Sequence, residues 1–177
     1  MVLYGPEGAG KKTRAYAFLS KIFGDHVFKL KEDERILKPE GTSTTIEFSL
    51  FSSNYHIEMT PSDNDHQDRH IVQHVVKEIA GNTNVETKGR PFKVLIINEA
   101  DKLTREAQGA LRRTMEKYMN NCRMILLATH VHRLIHPIRS RCLNLRIPAP
   151  SSSVINGILG DIAKAESSNL HQFNMSP

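Results

Sequence analysis

Near its start, this 177-residue chain reads Gly5-Pro6-Glu7-Gly8-Ala9-Gly10-Lys11-Lys12-Thr13. The spacing of this glycine-rich segment matches the phosphate-binding loop pattern Gly-x-x-x-x-Gly-Lys-Ser/Thr with one departure. Lys12 occupies the hydroxyl position, and Thr13 comes one residue late. Backbone N–H groups of such a loop hold phosphate oxygens, whereas the missing hydroxyl would bind Mg²⁺. The segment therefore predicts a loop that binds a nucleotide but hydrolyses it poorly.

The segments on both sides of this loop have the character that the motif requires. Residues 1–4 form a short apolar run of strand type, and apolar side chains recur at helical spacing through residues 11–23. A strand, a glycine-rich turn and a helix in this order argue against a chance cluster of glycines. We expect the nucleotide to be bound by Gly5, Gly8, Ala9, Gly10, Lys11, Lys12 and Thr13.

A second motif lies in residues 93–101, where an unbroken apolar run predicts a buried parallel strand. In P-loop ATPases such a strand ends in an Asp that orders Mg²⁺ and a Glu that polarises the attacking water. Here Asn98 takes the Asp position, and Glu99 remains as the water-polarising residue. An amide adds no negative charge for a metal ion, so we predict no metal ligand from the protein, and Mg²⁺ has little support as a cofactor. Alternatively, Glu99 and Asp101 are acids at the start of the next helix.

Two further stretches are more specific than phosphate loops, which many ATPases share. Residues 110–118 read Ala-Leu-Arg-Arg-Thr-Met-Glu-Lys-Tyr, and a triplet reads Ser140-Arg141-Cys142. With these stretches the chain resembles a small subunit of replication factor C, the eukaryotic sliding-clamp loader of the AAA+ superfamily. The Gly-Lys-Lys-Thr-Arg loop and the Asn-Glu-Ala-Asp strand end resemble the subunit type numbered 3 in animals and 5 in yeast. The resemblance extends from Val2 to about Leu170.

The resemblance implies a role in DNA replication and repair in the nucleus, as one subunit of a hetero-pentamer that loads the sliding clamp at a primer–template junction. It implies ATP or ADP as the cofactor, and the other loader subunits, the clamp and DNA as partners. Arg141 would be an arginine finger that acts in trans on a neighbour's γ-phosphate. Thr129 stands at the sensor position, where clamp loaders usually place an asparagine, and this departure also predicts weak hydrolysis.

Basic side chains on two predicted helices are candidates for contacts with DNA phosphates. The resemblance places such helices along the DNA, and the candidates are Arg69, Lys77 and Arg105. Contacts of this kind give an affinity that depends on salt and not on sequence. For any single one of the three, a solvated helix face is an equally good interpretation.

Composition is compatible with this interpretation. The formal net charge is +5, a moderate basic excess that permits contact with nucleic acid. Cys122 and Cys142 form neither a zinc pattern nor a disulfide framework, which favours a reducing compartment. No apolar run approaches the roughly 20 residues of a membrane span, so no membrane partner is expected.

Strand-like and helical segments alternate along the chain, which predicts an α/β fold with a parallel sheet and helices on both faces. Strands are expected at residues 26–30, 44–50, 56–60, 94–97, 123–129 and 143–147, and helices at 11–23, 67–80, 104–119 and from Ser151 onward. Residues 31–41 are charged and turn-rich, which predicts an exposed segment.

Two domains are expected. Residues 1–148 form the AAA+ P-loop domain, and residues 149–177 begin a small helical lid. Relative to the family, the chain would lack an N-terminal segment, most of the lid and the whole collar domain. We therefore expect a fragment, a short isoform or an incomplete gene model.

Two alternative functions stay open on the sequence alone. The chain could be an active ATPase in its own right, with Thr13 as the metal ligand and Glu99 as the base. It could also be an assembly subunit that keeps the fold and has lost the nucleotide altogether.

Overall fold

The computed structural model describes residues 1–39, 45–81, 92–118 and 121–166, without the side chains of residues 64–66 and 80. The strands are β1 (Val2–Tyr4), β2 (Lys31–Leu37), β3 (Ile46–Ser52), β4 (His56–Met59), β5 (Lys93–Ile97), β6 (Cys122–Ala128) and β7 (Asn144–Arg146). The α-helices are α1 (Lys11–Phe23), α2 (Asp68–Gly81), α3 (Arg105–Tyr118), α4 (His136–Arg139) and α5 (Ser152–Ala165). Short 3₁₀ helices span Asp25–Phe28, Pro61–Gln67 and Val131–Arg133.

The described strands form one sheet in the order β2-β3-β4-β5-β6-β1-β7. Pairing is parallel from β4 through β5, β6 and β1 to β7. The α/β class is confirmed, with one correction: β2 and β3 are antiparallel additions at one edge. Two antiparallel pairs need only short connections, whereas each parallel pair needs a crossover, and the helices supply those crossovers.

Alternating side chains of the central strands feed two separate cores. On β5, Leu95 and Ile97 belong to the core that includes α2 and α3. Val94 and Ile96, which point to the opposite face, belong to the core that includes α1. Because successive residues of a strand point to opposite faces, both sides of the sheet are covered by helices, as the sequence predicts.

Two predicted elements are wrong. Residues 26–30 were expected to form a strand, but Asp25–Phe28 is a 3₁₀ turn that directly follows the C-terminal Gly24 of α1. Residues 31–41 were expected to form an exposed, turn-rich segment, of which residues 40–41 lie outside the described residues. Most side chains of Lys31–Leu37 are exposed as expected, but this stretch is strand β2 and not a turn. Its side chains are mostly exposed, so its sequence carries no apolar alternation, and backbone pairing with β3 holds it in the sheet.

The order of the strands positions the site. Strand β6 lies between β1 and β5, and all three are parallel. Their carboxyl ends therefore meet at one edge, and the segments that come after them lie together there. Helix α3 begins at the same edge, where the Thr104 hydroxyl accepts a hydrogen bond from the Ala107 N–H at 3.2 Å, as expected for its N-cap.

Helix α5 begins after Ser151, as expected, although the Ser151 hydroxyl pairs with that of Ser153 and makes no capping bond to the helix. Its apolar residues Val154, Ile158 and Ile162 are about half exposed. The division into residues 1–148 and 149–177 stays a prediction, and residues 167–177 lie outside the described part of the chain.

Two glycines of the P-loop allow a matched test of how closely the loop packs. A Cβ at Gly5 would lie 1.9 Å from the backbone oxygen of Ile147, whereas a Cβ at Gly8 would meet nothing within 4 Å. We expect Gly5→Ala to lower the free energy of unfolding by about 2 kcal/mol, because backbone atoms cannot rotate away from the clash. Gly8→Ala costs only the positive φ of 73°, about 1 kcal/mol.

Urea unfolding of the two variants beside the wild type measures this difference. Equal midpoints for the two variants would show that the β1–β7 edge yields to the extra carbon, and would contradict the close approach of Gly5 to Ile147.

Candidate nucleotide site

A cavity of about 630 Å³ lies at the carboxyl ends of β1, β5 and β6. It collects most of the site residues that the sequence predicts. The lining residues are Glu7, Gly8, Ala9, Gly10, Lys11, Lys12, Thr13, Thr60, Asp63, Asn98, Glu99, Leu127, Ala128 and Thr129. Of the predicted nucleotide-binding residues, only Gly5 is not part of this lining. Residues that are more than a hundred positions apart in sequence therefore face one space.

The glycines give the loop the shape of an anion cradle. Gly8 and Gly10 have φ values of 73° and 77°, in the left-handed region that glycine adopts without strain. Gly10 is the N-cap of α1 and supplies no side-chain cap, so the first N–H groups of the helix have no side-chain acceptor there. Such N–H groups and the helix dipole favour a phosphate.

Lys11 is held by its own loop. Its ammonium donates to the carbonyl oxygens of Gly5 at 2.7 Å and Pro6 at 2.8 Å. These acceptors are neutral, and a phosphate oxygen accepts a stronger hydrogen bond from an ammonium than a carbonyl does. Lys11 can therefore move from these carbonyls to a phosphate without leaving the cavity that it lines.

Lys12 has a different partner. Its ammonium lies 2.5 Å from the carboxylate of Glu58, on β4. The same carboxylate accepts hydrogen bonds from Asn98 Nδ2 at 2.6 Å and from the Tyr16 hydroxyl. Glu58 is 1% exposed, and a buried charge is costly unless it is paired. Here Lys12 balances the charge, and three donors satisfy the carboxylate oxygens.

Glu58 is a site residue that sequence reasoning missed. Polar residues alternate with Ile57 and Met59 in the sequence of β4, but the described residues of this strand are buried on both faces. Burial acts to raise the pKa of the Glu58 carboxyl, but hydrogen bonds from Lys12, Tyr16 and Asn98 outweigh burial and hold that pKa below its usual value. The signal that could have revealed it was Lys12 itself, since a lysine at a hydroxyl position needs an acidic partner.

These contacts remove the two positions at which a P-loop ATPase usually supplies groups to a divalent cation. The hydroxyl position carries an ammonium, and Asn98 points its Nδ2 donor, not an oxygen, at the shared carboxylate. Mg²⁺ prefers oxygen ligands at short distance, and one or two carboxylates usually hold it. The residues at the carboxyl ends of β1 and β5 therefore do not fit Mg²⁺.

Glu99 lies at the cavity edge in a strained backbone conformation. Its φ of 49° is the only positive value among the non-glycine residues of the described ranges. Its carboxylate pairs with Lys102 at 2.9 Å and accepts a hydrogen bond from the Ser62 hydroxyl at 3.4 Å. Strained residues often mark functional sites, so the conformation of Glu99 is compatible with its expected role near the phosphates.

Asp101 fixes the backbone of Thr129, the predicted sensor residue. Its buried carboxylate accepts hydrogen bonds from the backbone N–H groups of Thr129 at 3.2 Å and His130 at 2.9 Å. These bonds tie the turn after β5 to the segment after β6. Asp101 therefore fixes the backbone that presents Thr129 to the cavity, a contact that the sequence interpretation as a helix-start acid did not anticipate.

Arg141 lies away from this cavity. It lines a separate cavity of about 800 Å³ together with residues at the amino ends of β5 and β6, such as Val94 and Cys122. Its guanidinium pairs with Glu116 at 2.8 Å and donates to the Pro137 carbonyl at 3.0 Å. The seven residues of β6 span roughly 20 Å. Arg141 therefore lies at the opposite ends of the strands from the nucleotide cavity, too far away to contact a nucleotide in its own chain.

The three candidates for DNA phosphate contacts are exposed on two adjacent helices. Asp68 accepts hydrogen bonds from the Thr104 backbone at 2.7 Å and hydroxyl at 2.9 Å. Arg69 directly follows Asp68, and Arg105 directly follows Thr104. The two arginines therefore lie close together, at the adjacent amino ends of α2 and α3. Lys77 is about 12 Å further along α2.

Other polar clusters give no site within the described ranges. The rings of His130 and His132 are in edge contact at 5.4 Å, yet no group of three or more His, Cys, Asp or Glu is placed to hold a metal ion in that part of the chain. Among the helices that the structure describes, none has the length and apolar character that crossing a membrane requires.

Comparison with known families agrees with the motifs. Residues 1–151 match the family described as DNA polymerase III, delta subunit. The chain belongs to this family. Its curated relatives include "Replication factor C subunit 3" of Arabidopsis thaliana, 48% identical over 97% of the chain, and that of Homo sapiens, 46% identical over 96%. "Replication factor C subunit 5" of Saccharomyces cerevisiae is 45% identical over 94% of the chain. The resemblance to replication factor C small subunits is confirmed.

The chain spans about half the length of these relatives: it covers 49% of the Arabidopsis, 48% of the human and 48% of the yeast protein. A solved chain from a study of katanin self-assembly aligns with a TM-score of 0.58 and 17% identity, over 93% of this chain and 45% of that one. At this identity the similarity supports the fold alone.

Proposed function

We propose that this chain is a clamp-loader subunit of the replication factor C type that binds ATP or ADP without hydrolysing it efficiently, and that lends Arg141 to the nucleotide of a neighbouring subunit. One observation carries the proposal: the P-loop, Asn98, Glu99 and Thr129 face a single cavity, while Arg141 lies at the other ends of the same strands.

Binding of the nucleotide rests on the phosphate side of the cavity. The glycine-rich turn and the start of α1 present N–H groups, and Lys11 supplies a mobile positive charge. A nucleotide bound there brings the phosphoanhydride to the cavity, and the residues of the chain orient it. Each of these groups is of the type that P-loops use to hold phosphates.

Weak hydrolysis rests on the opposite side of the same cavity. Lys12 and Asn98 are engaged with Glu58, and Glu99 is paired with Lys102. The groups that would assemble a metal ion and activate a water molecule are therefore replaced or occupied. Electrostatic stabilisation by metal and positioned charge is the main source of rate in phosphoryl transfer, so its loss leaves binding without efficient turnover.

The proposed partners are inferred from the relatives and from surface charge. The human and yeast relatives carry the name of replication factor C subunits, so we propose assembly with other such subunits in the nucleus, on the sliding clamp and primed DNA. Exposed Arg69, Lys77 and Arg105 would contribute phosphate contacts to DNA. The net charge of +5 is compatible with that role.

Lys11→Ala tests nucleotide binding directly. We expect the variant to bind a fluorescent ADP analogue about 10–100-fold more weakly than the wild type, because hydrogen bonds to charged groups contribute about 1.5–3 kcal/mol. Fluorescence anisotropy measures both dissociation constants. Lys21→Ala, which removes an exposed lysine at the other end of α1, is the matched control and should leave affinity unchanged.

Different outcomes of this experiment separate the rival functions. If the wild type binds no ADP, the chain is an assembly subunit without nucleotide. If the isolated chain hydrolyses ATP rapidly with Mg²⁺, and Glu99→Gln abolishes that activity, it is an ATPase in its own right.

A further inference from the structure

Four side chains form a partly buried polar cluster beside the P-loop, and we call them the Glu58 cluster: Lys12, Tyr16, Glu58 and Asn98. Glu58 is 1% exposed, and its neighbours supply three hydrogen-bond donors. Lys12 and Asn98 line the nucleotide cavity, whereas Tyr16 and Glu58 lie behind that lining. The cluster therefore connects the interior of the sheet to the place where phosphates would lie.

Positions 12 and 98 are the two places at which a P-loop ATPase supplies groups to Mg²⁺, one after the loop lysine and one after the apolar strand. In this chain both positions bind a single oxygen of Glu58: Lys12 Nζ lies 2.5 Å and Asn98 Nδ2 lies 2.6 Å from Oε1. The metal-side positions therefore converge on one carboxylate.

The charges of the cluster determine what can replace the metal. Glu58 and Lys12 neutralise each other, but Glu58 is buried, while the Lys12 side chain is 54% exposed and Lys12 lines the cavity. An anchored ammonium thus faces the phosphates with its remaining donors, since an ammonium has three. A divalent cation at the same place would meet a positive charge at short distance, and repulsion of like charges would exclude it.

We propose that the Lys12 ammonium, anchored by Glu58, takes the place of a divalent cation, so that this chain binds adenine nucleotide free of metal. This inference rests on the proposed nucleotide binding. It assigns a specific task to Glu58, which is to hold the lysine beside the phosphates. Tyr16 and Asn98 position Glu58 by donating to its oxygens.

The experiment compares the affinity of the full chain for a fluorescent ADP analogue in excess Mg²⁺ and in EDTA. For the wild type the dissociation constant in excess Mg²⁺ should be larger than that in EDTA, because no protein group recruits the ion and Mg²⁺ holds part of the ADP as its own complex in solution. The double variant Lys12→Thr/Glu58→Gln restores a hydroxyl and removes both charges together, which avoids an unpaired buried charge. We expect Mg²⁺ to tighten its binding about tenfold.

A second readout tracks the ion itself. Electron paramagnetic resonance of Mn²⁺ should show no ion immobilised by the wild-type ADP complex and an immobilised ion in the double variant. Arg35→Gln/Glu78→Gln is the matched control, since it neutralises another ion pair on β2 and α2. This control should respond to Mg²⁺ as the wild type does.

The outcomes distinguish the inference from the proposed function. Absence of ADP binding in both Mg²⁺ and EDTA overturns the proposed function and the inference with it. Binding by the wild type that Mg²⁺ tightens tenfold, with immobilised Mn²⁺, overturns the inference and leaves nucleotide binding in place. A folded double variant whose ADP binding Mg²⁺ does not tighten shows that Lys12 does not exclude the ion. If the double variant does not fold, the two wild-type measurements decide.

Discussion

ATP turnover at the neighbouring subunit's site is expected to fall about 10³-fold when Arg141 is replaced by alanine in the assembled complex. The reason is that a guanidinium stays charged and donates several hydrogen bonds in a fixed geometry to developing charge on the phosphates. Arg141 lies at the amino ends of β5 and β6, so the nucleotide that we propose it serves would be held by another molecule. Its surface ion pair with Glu116 contributes little to folding, since exposed pairs are worth about 1 kcal/mol or less.

The measurement is single-turnover hydrolysis by a complex reconstituted from this chain, in whatever length assembles, and its partner subunits. Arg146→Ala removes an exposed arginine from nearby β7 and serves as the control. Arg141→Lys keeps the positive charge but loses the planar, forked set of guanidinium donors. Its rate of hydrolysis should lie between those of the wild type and Arg141→Ala. An unchanged rate in an Arg141→Ala complex that elutes at the wild-type size would remove the arginine-finger role.

Elements with a strong apolar period were predictable from sequence. Residues 11–23 were expected to be a helix, and α1 has these bounds. The unbroken apolar run at residues 94–97 predicted a buried parallel strand, and β5 is buried with parallel partners on both sides. In these segments the burial that stabilises the element also produces the pattern in the sequence.

Strand β2 could not be predicted from its sequence because backbone pairing with β3 stabilises it, and not burial of its own side chains. Most of its side chains are exposed. Its register with β3 is maintained by backbone hydrogen bonds and by polar pairs, such as the Ser52 hydroxyl that donates to the Asp33 carboxylate at 2.7 Å. The charges that suggested an exposed turn are the charges that protect an edge strand from pairing with other chains.

The candidate site was predictable where it coincides with a motif and was missed where it depends on a distant partner. The P-loop, Asn98, Glu99 and Thr129 were expected together, and one cavity collects them. Glu58 has no motif of its own: it is one acid on a short strand, 46 residues after Lys12 in the chain. Only the pairing of β4 with β5 brings Glu58 beside Asn98.

The stability of the chain should fall by about 2 kcal/mol as the pH is lowered from 6.5 to 4.5, because of His56. Burial lowers the pKa of His56 from 6.5 to about 4, and the nearby negative charge of Glu58 opposes this shift only in part. His56 is fully buried, with its Nδ1 paired to the Ser53 hydroxyl at 2.7 Å and its ring edge against Tyr16. Between these pH values the unfolded chain binds a proton at this histidine and the folded chain does not, so acid favours unfolding.

Urea unfolding at pH 7 and in steps down to pH 4.5 tests this expectation. His56→Asn keeps a hydrogen-bonding side chain beside Ser53 but does not titrate, so its unfolding free energy should vary less with pH than that of the wild type. His74→Asn changes an exposed histidine on α2 and should preserve the wild-type dependence. Protonation of Glu58 is not the cause in this range, because its carboxyl pKa is held below the usual value and its contribution is lost only in stronger acid. Equal pH dependence in the wild type and His56→Asn would therefore mean that His56 accepts its proton while the chain is still folded.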